Sequence, residues 1–169
     1  HVAFSRIGAI SKQGKCLPFD QRADGFVQGD GAGIVMLKRL ADAERDGDRV
    51  YAVLHGIGSN NDGGENGPMA PVKEGQIEVI TRAWQDAGVD AGDLGYVECH
   101  GTGTLVGDHI EFDGLASALG AKVAAGGGKA GLGSSKANFG HTMSAAGVAG
   151  VIRAVLAIHH ETVPPMAGF

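Results

Sequence analysis

The chain has 169 residues, a net charge of -5 and 43% hydrophobic residues, which suffices for one domain that removes roughly 70% of its unfolded surface from water. No apolar run approaches the roughly 20 residues of a membrane helix, and the scattered lysines and arginines form no basic stripe able to neutralise phosphates, so a soluble protein that does not bind nucleic acid is expected. The two cysteines, Cys16 and Cys99, suit neither a disulfide framework nor a zinc site, which points to the reducing cytoplasm.

The chain opens at His1 without a methionine, a charged leader or an apolar signal core, and it stops at Phe169 shortly after Pro164-Pro165. It reads as a piece cut from a longer polypeptide. Glycine is the compositional outlier at 30 residues, spread along the chain without a repeat, so backbone geometry is demanding at many places.

In chain order, Gly29-Asp30-Gly31-Ala32-Gly33 reads as a turn feeding a buried strand over residues 34–37. A short polar helix over 41–46 is stopped by Gly47. Residues 50–57 form a second strand candidate, apolar on both faces and therefore expected between layers. Over 73–87, Ile77, Ile80, Trp84 and Ala87 recur at helical spacing and Gly88 supplies the stop. Residues 96–99 read as a short strand that delivers His100 at its carboxyl end. A Gly107-Asp108 turn and a helix over 110–119 follow. Residues 120–131 have the low complexity of a surface loop. A third strand over 131–134 leads into a 136–141 loop, and residues 143–159 form a helix rich in small residues. Strands alternating with helices predict a layered α/β architecture with covered sheet faces, and place His100 where α/β sites usually lie.

Other chemistries find little support. No Gly-x-Gly-x-x-Gly turn follows a strand, and Gly128-Lys129 lacks the earlier glycine of a phosphate-binding loop. His109-Ile110-Glu111 and His159-His160-Glu161 are ligand-type residues, but neither has the His-Glu-x-x-His spacing of a metal-binding helix. No bound metal is expected.

Two stretches 41 positions apart carry the chemistry. Val97-Glu98-Cys99-His100-Gly101-Thr102-Gly103-Thr104, followed by Gly107-Asp108 and Glu111, resembles the first histidine motif of the beta-ketoacyl synthases. Gly133-Ser134-Ser135-Lys136-Ala137-Asn138-Phe139-Gly140-His141, with Ala145-Ala146-Gly147, resembles their second. Pro18-Phe19-Asp20, Ala23-Asp24-Gly25-Phe26, Gly29-Asp30-Gly31-Ala32-Gly33, Asn61-Asp62-Gly63, Asn66-Gly67 and Ala70-Pro71 occur in the family's order. The resemblance covers essentially the whole chain but matches the part of the domain after the nucleophilic cysteine.

What the resemblance implies is a thiolase-like layered αβαβα fold, of which residues 1–169 supply the end of the N-terminal half and most of the C-terminal half, and a homodimer at full length. It implies an acyltransferase that condenses an acyl-enzyme thioester with malonyl-carrier protein by decarboxylation, in polyketide or fatty-acid biosynthesis. No cofactor is bound directly; substrates ride on the phosphopantetheine of an acyl carrier protein. By analogy His100 and His141 bind the enolate oxygen, each such donor being worth about 3 to 4 kcal/mol, with proton handling by one of them worth roughly 10² to 10⁴ in rate. Lys136 and Glu111 match the family's lysine and acid and are assigned to a polar network orienting the imidazoles. Thr102 and Thr104 resemble residues that contact the phosphopantetheine arm.

Plainer readings stand beside these. His55, His159 and His160 read as ordinary residues, and His109 as a loop variation. Lys136 and Glu111 could form a simple buried salt bridge. Neighbouring side chains on a strand point to opposite faces, so Cys99 should not share a pocket with His100; Cys16 matches a non-catalytic position, and burial is expected for both. Bacterial elongating synthases tend to carry glutamate nine residues after the second histidine, where this chain has Gly150, so the sequence leans towards polyketide synthases and multifunctional fatty-acid synthases. Two alternatives remain: a catalytically inactive chain-length or scaffold partner of a ketosynthase, and a thiolase-fold acyltransferase that does not decarboxylate. With half of the expected fold absent, the chain alone is expected to be inactive and to leave sheet edges and apolar helix faces uncovered.

Overall fold

A computed structural model describes residues 2–61, 63, 70–89, 91–126 and 129–168. The motif residues Asp62, Asn66 and Gly67, and Gly128, lie outside them. In chain order the elements are helices α1 (Val2–Arg6), α2 (Leu40–Asp46) and α3 (Lys73–Ala87), strand β1 (Tyr96–Glu98), helices α4 (Leu105–Leu115) and α5 (Ala121–Ala125), strand β2 (Gly131–Gly133), and helices α6 (Lys136–Phe139) and α7 (Ala146–His159).

Strands β1 and β2 pair in parallel, with Tyr96 opposite Gly131, Val97 opposite Leu132 and Glu98 opposite Gly133. The Cys99 amide extends the ladder by donating to the Gly133 carbonyl at 2.7 Å. Two parallel strands joined through helices form a crossover unit, and the carboxyl end of each leads directly into one of the two histidine stretches. Helix α3 has the bounds its periodicity predicts and ends at Gly88, whose φ of 62° is left-handed. Helix α2 likewise stops at Gly47, φ 70°.

Several expectations are corrected. Residues 34–37 and 50–57 form no strand, and the one sheet among the described residues holds β1 and β2 alone. Ile34 and Met36 are each 92% exposed and Leu54 is 74% exposed. Their sequences carry the apolar pattern of buried strands, but a strand is completed only by a neighbour's backbone groups and a covering layer. One side of the second segment is covered: it lies so close to α3 that a Cβ at Gly56 would sit 2.4 Å from the Ala87 amide nitrogen. Gly107 and Asp108 are not a turn before a helix; they lie inside the first turns of α4, which starts five residues earlier than predicted. The expected loop over 120–131 contains α5, preceded by a π-helical turn at Ala116–Gly120. The expected 136–141 loop includes the short helix α6, and the predicted helix from 143 begins with a 3₁₀ turn at Met143–Ala145 before α7.

The buried residues Cys16 and Leu17 lie against Thr102 and Gly103, and buried Phe26 against His141. Residues 26–29 run beside 140–142: Gln28 bridges His141, the His141 amide donates to the Val27 carbonyl at 2.7 Å, and the Gly29 amide donates to the His141 carbonyl at 3.0 Å. Residues 16–29 therefore pack against both histidine stretches.

Candidate active site

The His100 stretch is held by its backbone. Glu111, six residues into α4, accepts the His100 amide at 2.6 Å and the Gly101 amide at 2.7 Å, one on each carboxylate oxygen. Ser134, fully buried just after β2, donates its hydroxyl to the carbonyls of His100 (3.1 Å) and Gly101 (2.9 Å). Asp108, also buried, accepts the amides of Gly103 (3.2 Å) and Phe19 (2.7 Å). The second of these bonds secures a non-glycine residue at φ 61°, a conformation costing about 1 to 3 kcal/mol that persists only when its surroundings over-determine it. The loop bearing His100 is thus pinned from α4, β2 and the 17–19 turn.

His141 is held as firmly. Gly140 before it has φ 80° and ψ -177°, and a Cβ there would lie 2.8 Å from the Val27 carbonyl oxygen, so only glycine lets the chain pass. The His141 Nδ1 accepts the Met143 amide at 3.0 Å. A neutral imidazole whose Nδ1 accepts carries its proton on Nε2; the outward nitrogen of His141 is therefore a donor. The ring packs edge-on against Phe26, centroids 5.2 Å apart, and edge-on against His100, 5.4 Å apart at 85°. The two imidazoles predicted from separate loops stand side by side.

Lys136 is buried, 4% exposed, at the start of α6. Burial pushes its pKa down, opposed by the charges of Glu98 first and Glu111 second. Among the described residues no ion pair joins Lys136 to Glu111, which corrects the simple salt-bridge reading; Glu111 holds the backbone amides of His100 and Gly101 instead. Burial likewise raises the Glu111 pKa, partly offset by the two amides it accepts. His100 is exposed to solvent by surface area, yet desolvation by neighbouring groups first, then the Lys136 charge, then His141, push its pKa down to about 4. His141 is shifted the same way by burial and Lys136. Both rings are neutral near pH 7 and able to donate.

Thr102 is buried and Thr104 half-buried, their hydroxyls 3.0 Å apart at the start of α4. Cys99 and Cys16 are buried free thiols. Burial first, then the charges of Glu111 and Glu98, push Cys99 up to about 12; burial pushes Cys16 up to about 11. Cys16 donates to the Thr102 carbonyl at 3.2 Å. Neither is poised as a nucleophile. His159 lies on the far end of α7 beside Tyr51 and Arg49, and His55 and His109 are exposed. A cavity of about 580 Å³ opens between α7, residues 30–33 and Pro164-Pro165; His160 lines it, and neither His100 nor His141 does. Among the described residues no cluster of three or more histidine, cysteine or acidic side chains is placed to hold a metal.

Sequence reasoning passed over Ser134, Asp108 and Glu98 as site residues. Each bonds to at least one group from a distant part of the chain that the fold brings near, which leaves no local spacing to read.

The family model of the beta-ketoacyl synthase C-terminal domain matches residues 51–169, and that of the N-terminal domain matches residues 1–43. This chain belongs to the beta-ketoacyl synthase family. Among beta-ketoacyl synthases it is 50% identical over 172 residues to one component of the phenolphthiocerol/phthiocerol polyketide synthase of Mycobacterium tuberculosis, covering 98% of this chain and 9% of that protein. To a second component of the same synthase it is 49% identical over 168 residues, covering 99% of this chain and 11% of that protein. The ketosynthase from module 6 of the bacillaene synthase of Bacillus subtilis superposes with a TM-score of 0.92 at 40% identity, over 99% of this chain and 30% of that one. The ishigamide ketosynthase/chain length factor gives 0.86 at 33% identity, over 98% and 39%. The fold is that of ketosynthase domains, the thiolase-like α/β arrangement, and the chain spans under half the length of each of these relatives. No helix among the described residues is long and apolar enough to cross a membrane.

Proposed function

We propose that residues 1–169 are the histidine-bearing part of a ketosynthase domain, comprising the end of its N-terminal half and most of its C-terminal half, that catalyses decarboxylative condensation in polyketide or fatty-acid biosynthesis. The observation that carries this reading is the convergence of His100 and His141, with ring centroids 5.4 Å apart and the His141 proton directed to Nε2 by the Met143 amide.

A malonyl thioester loses carbon dioxide when its carbon-carbon bond breaks and the electron pair moves onto the thioester oxygen. Two neutral imidazole donors aimed at that oxygen stabilise the charge as it forms, each worth about 3 to 4 kcal/mol in a preorganised site. The enolate carbon then attacks the carbonyl of an acyl group held on a cysteine, forming the new carbon-carbon bond and releasing the thiolate. Both cysteines of this chain are buried with raised pKa values, so the nucleophile comes from residues outside 1–169, and the chain by itself is inactive. The reading puts His100 and His141 at the enolate, with Glu111 holding the His100 loop through its backbone and the Lys136 charge acting on both rings. Thr102 and Thr104 lie along the phosphopantetheine arm of the acyl carrier protein. No cofactor is bound directly; the partners are the carrier protein with its malonyl and acyl thioesters, and a second copy of the full-length domain in the cytoplasm.

The test uses the complete synthase. His100→Ala and His141→Ala are expected to lower release of labelled carbon dioxide from malonyl-carrier protein by about 10²-fold or more while the cysteine still takes up an acyl group. Lost acylation with intact decarboxylation would reverse these roles.

A further inference from the structure

The strand that leads to His100 carries an acid two residues earlier. Side chains two apart on a strand share a face, so Tyr96 and Glu98 lie on one face of β1, and His100 follows two residues beyond the strand end. The Glu98 side chain is only 8% exposed. Its carboxylate accepts hydrogen bonds from three parts of the chain: the Ser135 amide at 2.6 Å, the Arg153 guanidinium of α7 at 3.2 Å, and the Tyr96 hydroxyl of its own strand.

Each partner is placed with respect to the site. Ser135 immediately precedes Lys136 and opens the turn that ends at Gly140 and His141. Arg153 stands on the helix that follows His141, and its other guanidinium nitrogen is fixed by the carbonyls of Pro164 (2.7 Å) and Pro165 (3.2 Å). One carboxylate therefore ties the strand entering His100, the turn entering His141 and the helix leaving it. Helix α7 makes room for the acid: a Cβ at Gly150 would lie 3.2 Å from the Glu98 Cγ. The Lys136 side chain makes no hydrogen bond or ion pair among the described residues, and Glu98 is the acid whose charge acts on it most.

A buried ion pair is a weak source of net stability, because desolvating both charges offsets their attraction. A carboxylate kept dry at this junction is better explained by what it aligns. We propose that Glu98 is a positioning residue for the condensing reaction, setting the separation of the two imidazoles by tying their three flanking segments together, with Gly150 as the gap on α7 that admits it. The inference rests on the ketosynthase reading and adds to it a residue and a reason for the glycine.

The test compares Glu98→Gln, Glu98→Ala and the double variant Glu98→Ala with Gly150→Glu in the complete synthase. Glutamine keeps the volume and the acceptor for the Ser135 amide but removes the charge. It is expected to lower kcat for malonyl decarboxylation about tenfold, leaving KM and cysteine acylation within about twofold. The Gly150→Glu change brings a carboxylate into the same volume one helical turn before Arg153, so the double variant is expected to recover at least about a third of the wild-type rate relative to Glu98→Ala. Unchanged decarboxylation in Glu98→Gln, or parallel loss of both half-reactions with no rescue by the double variant, overturns the proposal. If Glu98→Ala does not fold, Glu98→Gln and the double variant decide alone. A wild-type enzyme without decarboxylase activity, or one indifferent to His100→Ala, would instead overturn the ketosynthase reading and this proposal with it.

Discussion

Removing the Glu111 carboxylate isolates the device that holds the His100 loop. The acid accepts two backbone amides, at 2.6 and 2.7 Å, and nothing else described replaces it. A buried donor left unpaired costs about 1 to 3 kcal/mol. The Gly101 residue is buried and its amide would bear the full cost, whereas the His100 amide, on a residue that reaches solvent, can recover part of its bond from water. Glu111→Ala is therefore expected to destabilise the complete domain by about 2 to 4 kcal/mol. Glu111→Gln keeps one acceptor oxygen but turns an NH₂ group towards the other amide, and is expected to cost about 1 to 2 kcal/mol. Because the amides belong to the loop and not to the ring, the chemical effect is one of placement; displacement by about 1 Å is enough to lower a rate by up to roughly 10²-fold. Denaturant unfolding of the complete domain measures the first effect, and release of labelled carbon dioxide from malonyl-carrier protein the second. A Glu111→Ala domain within about 0.5 kcal/mol of wild type, with an unchanged decarboxylation rate, would refute the reasoning.

Further expectations concern the second histidine, the thiols and pH. Gly140→Ala forces a side chain into φ 80° and against the Val27 carbonyl, costing about 1 to 3 kcal/mol and lowering decarboxylation; a variant with wild-type unfolding midpoint and rate would contradict it. In the folded protein at pH 8, Cys99 and Cys16 have pKa values near 12 and 11, so only about 10⁻⁴ and 10⁻³ of each is thiolate. Both should resist iodoacetamide, as read by intact mass, and prompt labelling of either would show that its burial is wrong. Because the His100 pKa is depressed to about 4, the folded protein favours the neutral ring. The associated stability is fully present above the free imidazole value of about 6.5 and is lost as pH falls from there towards 4. Decarboxylation by the complete synthase should accordingly show no histidine-dependent decline at pH 6.5; a limb there that disappears in His100→Ala would contradict the assignment.

What could be read before any coordinates was local. Ile77, Ile80, Trp84 and Ala87 mark α3 to its last residue because helical spacing and a terminal glycine are written in consecutive positions. His100 could be placed at a strand end for the same reason, and Cys99 set apart from it by alternation alone. The 34–37 and 50–57 segments failed as strands because pairing depends on backbone from elsewhere, and their exposed Ile34, Met36 and Leu54 are apolar side chains of the kind a packed layer covers. Glu98 and Ser134 were invisible as site residues because their partners, Arg153 and the His100 carbonyl, lie 55 and 34 positions away. Glu111 was found through family likeness, yet its target, the backbone rather than the ring, required the geometry.

The central claim is that the nitrogens of His100 and His141 meet at one oxygen. A crystal structure of the complete domain bound to a non-hydrolysable malonyl thioester analogue tests it directly. The account predicts the thioester oxygen within about 3.2 Å of both outward imidazole nitrogens, with the His141 Nδ1 still accepting from Met143. An analogue whose oxygen is bound by backbone amides elsewhere, with either ring turned away, would contradict it.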